Sequence, residues 1–161
     1  MLTRRHMLLM TTALTGAGIV GLALSWQAST DGQFEVTRSP EEWRGLLGEN
    51  AYLVMRKEKT ETPYSSPQLQ EKRLGTYHCA ACDLSVYASS AKYDSGTGWP
   101  SFYEALVGAT GTKKDFALLI PRTEVHCRRC GGHFGHIFDD GPQPTGLRHC
   151  LNGLALFFRP A

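Results

Sequence analysis

Two Cys-x-x-Cys pairs constrain this chain more than any other feature. Cys79 and Cys82 form the first, Cys127 and Cys130 the second, and 44 residues separate them. Two such turns can deliver four thiolates to one tetrahedral zinc ion, with sulfurs about 2.3 Å from the metal. The insert is longer than a compact zinc ribbon allows, so the site would staple two separate hairpins. A closed four-sulfur site is structural and strengthens a small domain's core. Three other readings use the same residues. Export would permit disulfides. One pair could be a redox Cys-x-x-Cys, although neither sits in a βαβ context. Cys127, Cys130, His133 and His136, spaced by threes, could form a mixed site, which would strand Cys79 and Cys82. Ligand chemistry favours zinc on the four cysteines.

The segments around the pairs read as a mainly β domain. Thr76-Tyr77-His78 and Leu84-Ser85-Val86-Tyr87 are short strands flanking the first turn. Thr123-Glu124-Val125-His126 leads into the second. Phe116-Ala117-Leu118-Leu119-Ile120 is an apolar run fit for a buried strand, and Leu154 to Arg159 is a terminal strand. Short strands punctuated by glycine and proline imply antiparallel sheets. Upstream, Ser39-Pro40-Glu41-Glu42 has the pattern of a capping box, with Ser39 as N-cap and Pro40 in the first helical position. Trp43, Leu46 and Leu47 supply a short apolar face, and Gly48 is a natural stop. Ala51 to Met55 either resumes the helix or runs extended. Lys57 to Gln68, polar with two prolines, reads as an irregular surface arm. The fold expected is two antiparallel sheets, a zinc-binding pair of knuckles and short N-terminal helices.

Residues 1–28 read differently. Arg4 and Arg5 precede an apolar run to about Trp26, with no charged side chain between Arg5 and Asp31. This is the pattern of a bacterial export signal, and the paired arginines resemble the twin-arginine type. The run reaches the roughly 20 residues needed to span a bilayer. Its glycines, threonines and alanines make a poor permanent anchor, so cleavage near Ala23, Ser25 or Ala28 is the favoured outcome. No cysteine follows the run, which excludes a lipoprotein anchor. The expected organisation is a signal at 1–28, a lead-in at 29–36 and one domain at 37–161, exported to a bacterial periplasm. Those two arginines account for the formal charge of +2, and the rest of the chain is neutral overall. With no basic run on the body, a nucleic-acid partner held by phosphate contacts is disfavoured.

Five cysteines leave one over. Cys150 lies in Arg148-His149-Cys150-Leu151-Asn152, and an unpaired cysteine is either an inert buried side chain or a reactive thiol. Two other segments carry chemistry. Gly96-Thr97-Gly98-Trp99-Pro100-Ser101-Phe102 is a sharp turn that displays Trp99, unless that ring belongs to the core. In Gly131 to Gly141, His133 and His136 lie three apart and could reach one pocket.

Together, the two knuckles, Gly98-Trp99-Pro100-Ser101-Phe102, His133-Phe134-Gly135-His136-Ile137-Phe138 and Arg148-His149-Cys150-Leu151-Asn152 resemble the type B methionine sulfoxide reductases. Tyr52 to Arg56 and Thr60 to Tyr64 fit as well, so the resemblance spans residues 37 to 159. It implies a fold of two antiparallel sheets with zinc knuckles remote from the active site. It also implies reduction of methionine-R-sulfoxide in oxidised peptides and proteins, since each epimer has its own class of enzyme. Cys150 would attack the sulfoxide sulfur as a thiolate, with Arg148 and the histidines favouring the anion or the attack. His133 or His136 would protonate the leaving oxygen. Asn152 would donate a hydrogen bond to that oxygen, and Trp99 would bound the site for the ε-methyl group. Many members carry a resolving cysteine two residues before the tryptophan. Here that residue is Thr97, so the Cys150 sulfenic acid must be recycled by an external thiol, such as a thioredoxin-like protein. Two rivals remain: a zinc-bearing binding module with a structural Cys150, and a cysteine hydrolase using Cys150, a histidine and Asn152.

Overall fold

The computed structural model describes residues 34–161. The signal assigned to residues 1–28 lies outside them. Helix α1 spans Pro40–Lys57 and begins with the expected capping box: the Ser39 side chain accepts from Glu42 N, and the Glu42 carboxylate accepts from Ser39 N. Gly48 interrupts the helix but does not end it. Its φ of 72° and ψ of 165° make a kink, after which the helix resumes. The second half buries Ala51, Tyr52, Val54 and Met55, and Arg56 stacks on Trp43 of the first half, 3.7 Å from its ring centroid. Burial of this face, rather than propensity, explains why a helix with a central glycine continues.

Nine strands follow: β1 (Gly75–Cys79), β2 (Ser85–Ala88), β3 (Lys92–Tyr93), β4 (Ser101–Phe102), β5 (Thr110–Asp115), β6 (Arg122–Cys127), β7 (His133–Phe138), β8 (Arg148–Leu151) and β9 (Leu156–Pro160). They make a three-stranded sheet in the order β2-β1-β9 and a six-stranded sheet in the order β3-β4-β8-β7-β6-β5. Every pairing is antiparallel. The sheets share an aromatic core. Tyr77 and Tyr87 of the small sheet pack on Phe102 of the large one, with ring centroids 5.0 and 4.6 Å apart. The Tyr87 hydroxyl shares a 3.0 Å hydrogen bond with His149 Nδ1. One face of the large sheet is thereby committed to the core, which leaves its other face for chemistry.

The apolar run Phe116 to Ile120 is not a buried strand. It forms the exposed tip of the β5–β6 hairpin, with Phe116, Leu118, Leu119 and Ile120 all open to solvent. The ladder closes at Asp115 opposite Arg122, an ion pair at 2.6 Å, and the Asp115 side chain accepts from Ala117 N to start the turn. Five consecutive apolar residues satisfy a buried strand or an exposed tip equally well by periodicity, so only the register separates them.

Candidate active site and metal cluster

The two knuckles have the same backbone construction. In the first, Asp83 N donates to Cys79 O and Cys79 N donates to Leu84 O. In the second, Gly131 N donates to Cys127 O and Cys127 N donates to Gly132 O. Asp83 and Gly131 occupy matching positions, with φ of 59° and 66°. Each turn therefore aims its sulfurs inward in the same way. The four sulfurs lie within 4.8 Å of one another, with Cys79–Cys130 at 3.7 Å and Cys82–Cys127 at 3.5 Å. A disulfide needs about 2.05 Å. A tetrahedron of ligands about 2.3 Å from a central metal has edges of about 3.8 Å. The cluster fits a metal, and it joins β1 to β6 as the long insert implies. Arg56 donates to Cys130 O at 2.8 Å, tying helix α1 to the second knuckle. His133 and His136 belong to β7 and take no part in the cluster.

Cys150 sits on β8 in a row that crosses the large sheet. Tyr93, Ser101, Cys150, His136, Glu124 and Lys113 are successive cross-strand partners from β3 to β5. Directly paired residues project from the same face, so all six share the face opposite the aromatic core. His133 joins them only through a bulge. Strict alternation would put residues three apart on opposite faces. The β6–β7 register, however, steps from Val125 opposite Gly135 to His126 opposite His133, making Phe134 an extra residue. The bulge returns His133 to the face of His136, and their ring centroids are 5.4 Å apart. Phe134 is fully buried. Gly135 is required where β7 meets β8, because a Cβ there would lie 2.0 Å from Cys150 O.

Both histidines hold carboxylates that no sequence motif announced. His133 Nδ1 is 2.9 Å from Glu124 Oε1, in a pair only 2% exposed on either side. His133 Nε2 is buried with no hydrogen-bond partner among the described residues. Burial raises the Glu124 pKa, but hydrogen bonds from His133 and Lys113 outweigh it and hold the carboxyl below its ordinary range. His136 Nε2 is 2.8 Å from Asp115 Oδ2. The Ala117 amide, then His136 and Arg122, hold Asp115 well below the usual carboxylate range. Burial lowers the His136 pKa, with Asp115 acting against it. Carboxylate pairing of this kind fixes a ring's orientation and tautomer.

The tryptophan turn is clamped by the arm at 57–68, which is irregular but far from a mere surface segment. Trp99 Nε1 donates to Glu61 O at 3.1 Å, Tyr64 N to Gly98 O at 2.7 Å, and Tyr64 OH to Gly96 O at 2.8 Å. A Cβ on Gly98, whose φ is 91°, would come within 2.9 Å of Pro63 and Tyr64. Trp99 is half-buried, so its ring is anchored without belonging to the core. Glu61 also reaches the far side of the site. Its N–H donates to Asn152 Oδ1, and its buried carboxylate accepts from Gly153 N at 2.6 Å and Leu154 N at 2.9 Å. Asn152 is buried and donates from Nδ2 to Phe134 O. Its amide is thus held at both ends, with one N–H to spare.

Arg148 makes a two-point pair with Asp140 at 2.8 Å and lies over Phe138, 4.4 Å from the ring centroid. Burial pushes the Cys150 thiol up, the Thr97 hydroxyl and Arg148 bring it down, and Asp140 adds a small rise. The sulfur's neighbour is Thr97 Oγ1, at 3.9 Å. Anion support therefore comes from Thr97 and Arg148. The roles of Glu61, Glu124, Asp115 and Thr97 as partners escaped sequence reasoning. Thr60 to Tyr64, Thr123 to His126 and Gly96 to Gly98 carry three of these residues, but no stretch reveals the partner each one meets.

A single thiol placed in this way, apart from a closed thiolate cluster, suits the chemistry of a thiol-dependent oxidoreductase. The SelR domain description matches residues 47–160. A peptide methionine sulfoxide reductase of Pseudomonas putida is 45% identical over 127 residues, 78% of this chain and 96% of the relative. One from Leptospira interrogans is 42% identical over 127 residues, 78% of this chain and 97% of its own length. A chloroplastic relative from rice is 42% identical over 124 residues, 76% of this chain and 58% of the relative. The chain belongs to the SelR family of peptide methionine sulfoxide reductases.

Proposed function

We propose that this chain reduces methionine-R-sulfoxide in oxidised peptides and proteins, with Cys150 as nucleophile. The observation that carries the reading is the bulge-corrected row, which sets Cys150 and both carboxylate-paired histidines on one face beside the Trp99 turn. The Cys150 thiolate attacks the sulfoxide sulfur while a histidine protonates its oxygen. His133 is the better proton donor, because His136 Nε2 is spent on Asp115 and His133 Nε2 has no hydrogen-bond partner among the described residues. Transfer of the oxygen leaves methionine and a sulfenic acid on Cys150. Arg148 supports the thiolate, Trp99 bounds the methyl group, and Asn152 offers its remaining N–H or holds the loop that follows Cys150.

The sulfenic acid needs two thiols for reduction, which yields Cys150 thiol, a disulfide and water. Thr97 stands where a nearby thiol would be needed, and the other four cysteines are gathered in the cluster. The reductant is therefore an external thiol, such as a thioredoxin-like protein. The cluster suits Zn2+ held by Cys79, Cys82, Cys127 and Cys130. Four thiolates close the coordination sphere, so the metal supplies folding energy and leaves no position for substrate. The arginine pair at residues 4 and 5 supports export to the periplasm as the working compartment.

An assay with separate R and S sulfoxide peptides tests the reading, using dithiothreitol and thioredoxin in parallel. Turnover of the R epimer alone, lost in Cys150→Ser with zinc retained, is expected. Equal turnover of both epimers, or activity surviving in Cys150→Ser, refutes it. Acyl-enzyme trapping with an activated ester would instead favour the hydrolase rival.

A further inference from the structure

A line of hydroxyls runs from Cys150 into the tryptophan turn. Thr97 Oγ1 lies 3.9 Å from Cys150 Sγ and 2.8 Å from Ser95 Oγ. Ser95 Oγ lies 2.7 Å from Ser101 Oγ, and Ser101 donates to Trp99 O at 3.2 Å. Ser101 is fully buried and is also the cross-strand partner of Cys150, so the line is rooted in the sheet at both ends.

Counting protons gives the line a direction. Each hydroxyl has one proton to donate and lone pairs to accept with. If Ser101 spends its proton on Trp99 O, the Ser95–Ser101 link must be filled by Ser95. The Thr97–Ser95 link must then be filled by Thr97. The only proton left for the Thr97–Cys150 link is that of the thiol. The neutral state therefore runs from Cys150 S–H through Thr97, Ser95 and Ser101 to Trp99 O, with all four links satisfied. Removing the thiol proton inverts the demand, because a thiolate accepts only. Rotation of three hydroxyls about their C–O bonds then sends Ser101 to Ser95, Ser95 to Thr97 and Thr97 to the sulfur. No heavy atom moves.

We propose that Thr97 is a catalytic residue of this chain. Its hydroxyl switches from accepting the Cys150 S–H to donating to the thiolate, with Ser95 and Ser101 as the positioning residues that let it reverse. The direction in which Thr97 acts on the Cys150 thiol agrees with this assignment. At the place where a second thiol would resolve the sulfenic acid, this chain carries a group that stabilises the attacking anion. The catalytic label rests on the sulfoxide-reduction reading above, whereas the effect on the thiol does not.

Alkylation of the zinc-loaded full chain with iodoacetamide across pH tests the two separately, since it reports thiolate without requiring turnover. In Thr97→Val, which keeps the shape and removes the hydroxyl, the Cys150 midpoint should rise by about one unit. That corresponds to about a tenfold fall in thiolate at a pH below both midpoints, as expected for loss of one charge-assisted hydrogen bond. Thr97→Ser should restore the wild-type midpoint. Ser95→Ala should shift it in the same direction by less, and it decides the matter if Thr97→Val fails to fold. The other groups facing Cys150 are unchanged in all three variants: Arg148 with Asp140 behind it, Tyr93 from β3 and His136 from β7. A midpoint unmoved in Thr97→Val, or a Thr97→Ser variant displaced as far as the valine, overturns the proposal. If the midpoints move as stated but the wild type reduces neither sulfoxide epimer, the thiol effect survives and the reductase reading fails.

Discussion

Removing the Glu61 carboxylate should release the loop that follows Cys150 from the arm at 57–68. Glu61 is 8% exposed, and its two carboxylate oxygens accept the backbone N–H groups of Gly153 and Leu154, just beyond Asn152. Its own backbone holds Asn152 Oδ1 and Trp99 Nε1, and those two bonds survive in Glu61→Ala. The substitution therefore isolates the carboxylate. Each hydrogen bond to a charged group contributes about 1.5–3 kcal/mol. Gly153 is buried and loses the full amount, while the partly exposed Leu154 amide can recover some from water. The expected loss is about 2–4 kcal/mol. At roughly 3–5 °C per kcal/mol for a domain of this size, the melting temperature should fall by about 6–20 °C. Glu61→Gln should lie between the two, because its amide oxygen still accepts from Gly153 while its NH2 opposes the Leu154 N–H. Catalytic efficiency should drop by about tenfold as the loop that follows Asn152 loses its anchor to the arm. Thermal unfolding followed by circular dichroism, with R-sulfoxide turnover below the transition, is the assay. A Glu61→Ala protein melting within 2 °C of wild type would refute the assignment of Glu61 as the bond between arm and site.

Two further outcomes follow from other buried groups. Burial holds the His149 pKa down to about 4, against an ordinary value of 6.5. The unfolded chain then takes up the proton first, so stability is complete above pH 6.5 and declines as pH falls toward 4, by about 3 kcal/mol in all. Urea midpoints across that window should show the decline, and His149→Phe should flatten its share of it; parallel curves for the two proteins would count against this. Thiol titration checks the cluster. Among the five cysteines, the native metal-loaded chain should offer one fast thiol, Cys150, and the denatured, chelated chain should offer five without reductant. Only one reactive thiol after denaturation would mean disulfides, and Cys79→Ser should release the metal and unfold at lower denaturant.

The bulge at Phe134 illustrates what pairing adds to a sequence. His133 and His136 stand out in the chain because a glycine-rich segment carries both, yet their spacing puts them on opposite faces of a regular strand. Only the β6–β7 register shows that they share a face with Cys150. Glu124 and Asp115 were invisible for a related reason. A single acidic residue in a strand has no pattern, and its meaning comes from the cross-strand neighbour it meets. The tip at Phe116 to Ile120 was misplaced because apolar runs say nothing about where a ladder stops. That point was set by the Asp115–Arg122 pair.

Features confined to a few consecutive residues were determined by the sequence alone. The capping box at Ser39, the two knuckles, the glycine turn before Trp99 and the unpaired Cys150 all rest on local geometry or on counting. The tertiary structure decided everything that depends on residues distant in the chain. It turned the arm at 57–68 inward, gave each histidine a carboxylate, and set Thr97 against Cys150 at the end of a line of hydroxyls. Local turns obey short-range sterics and hydrogen bonding, which a short stretch contains in full. A site assembled from six strands depends on register, and register is a property of the folded sheet.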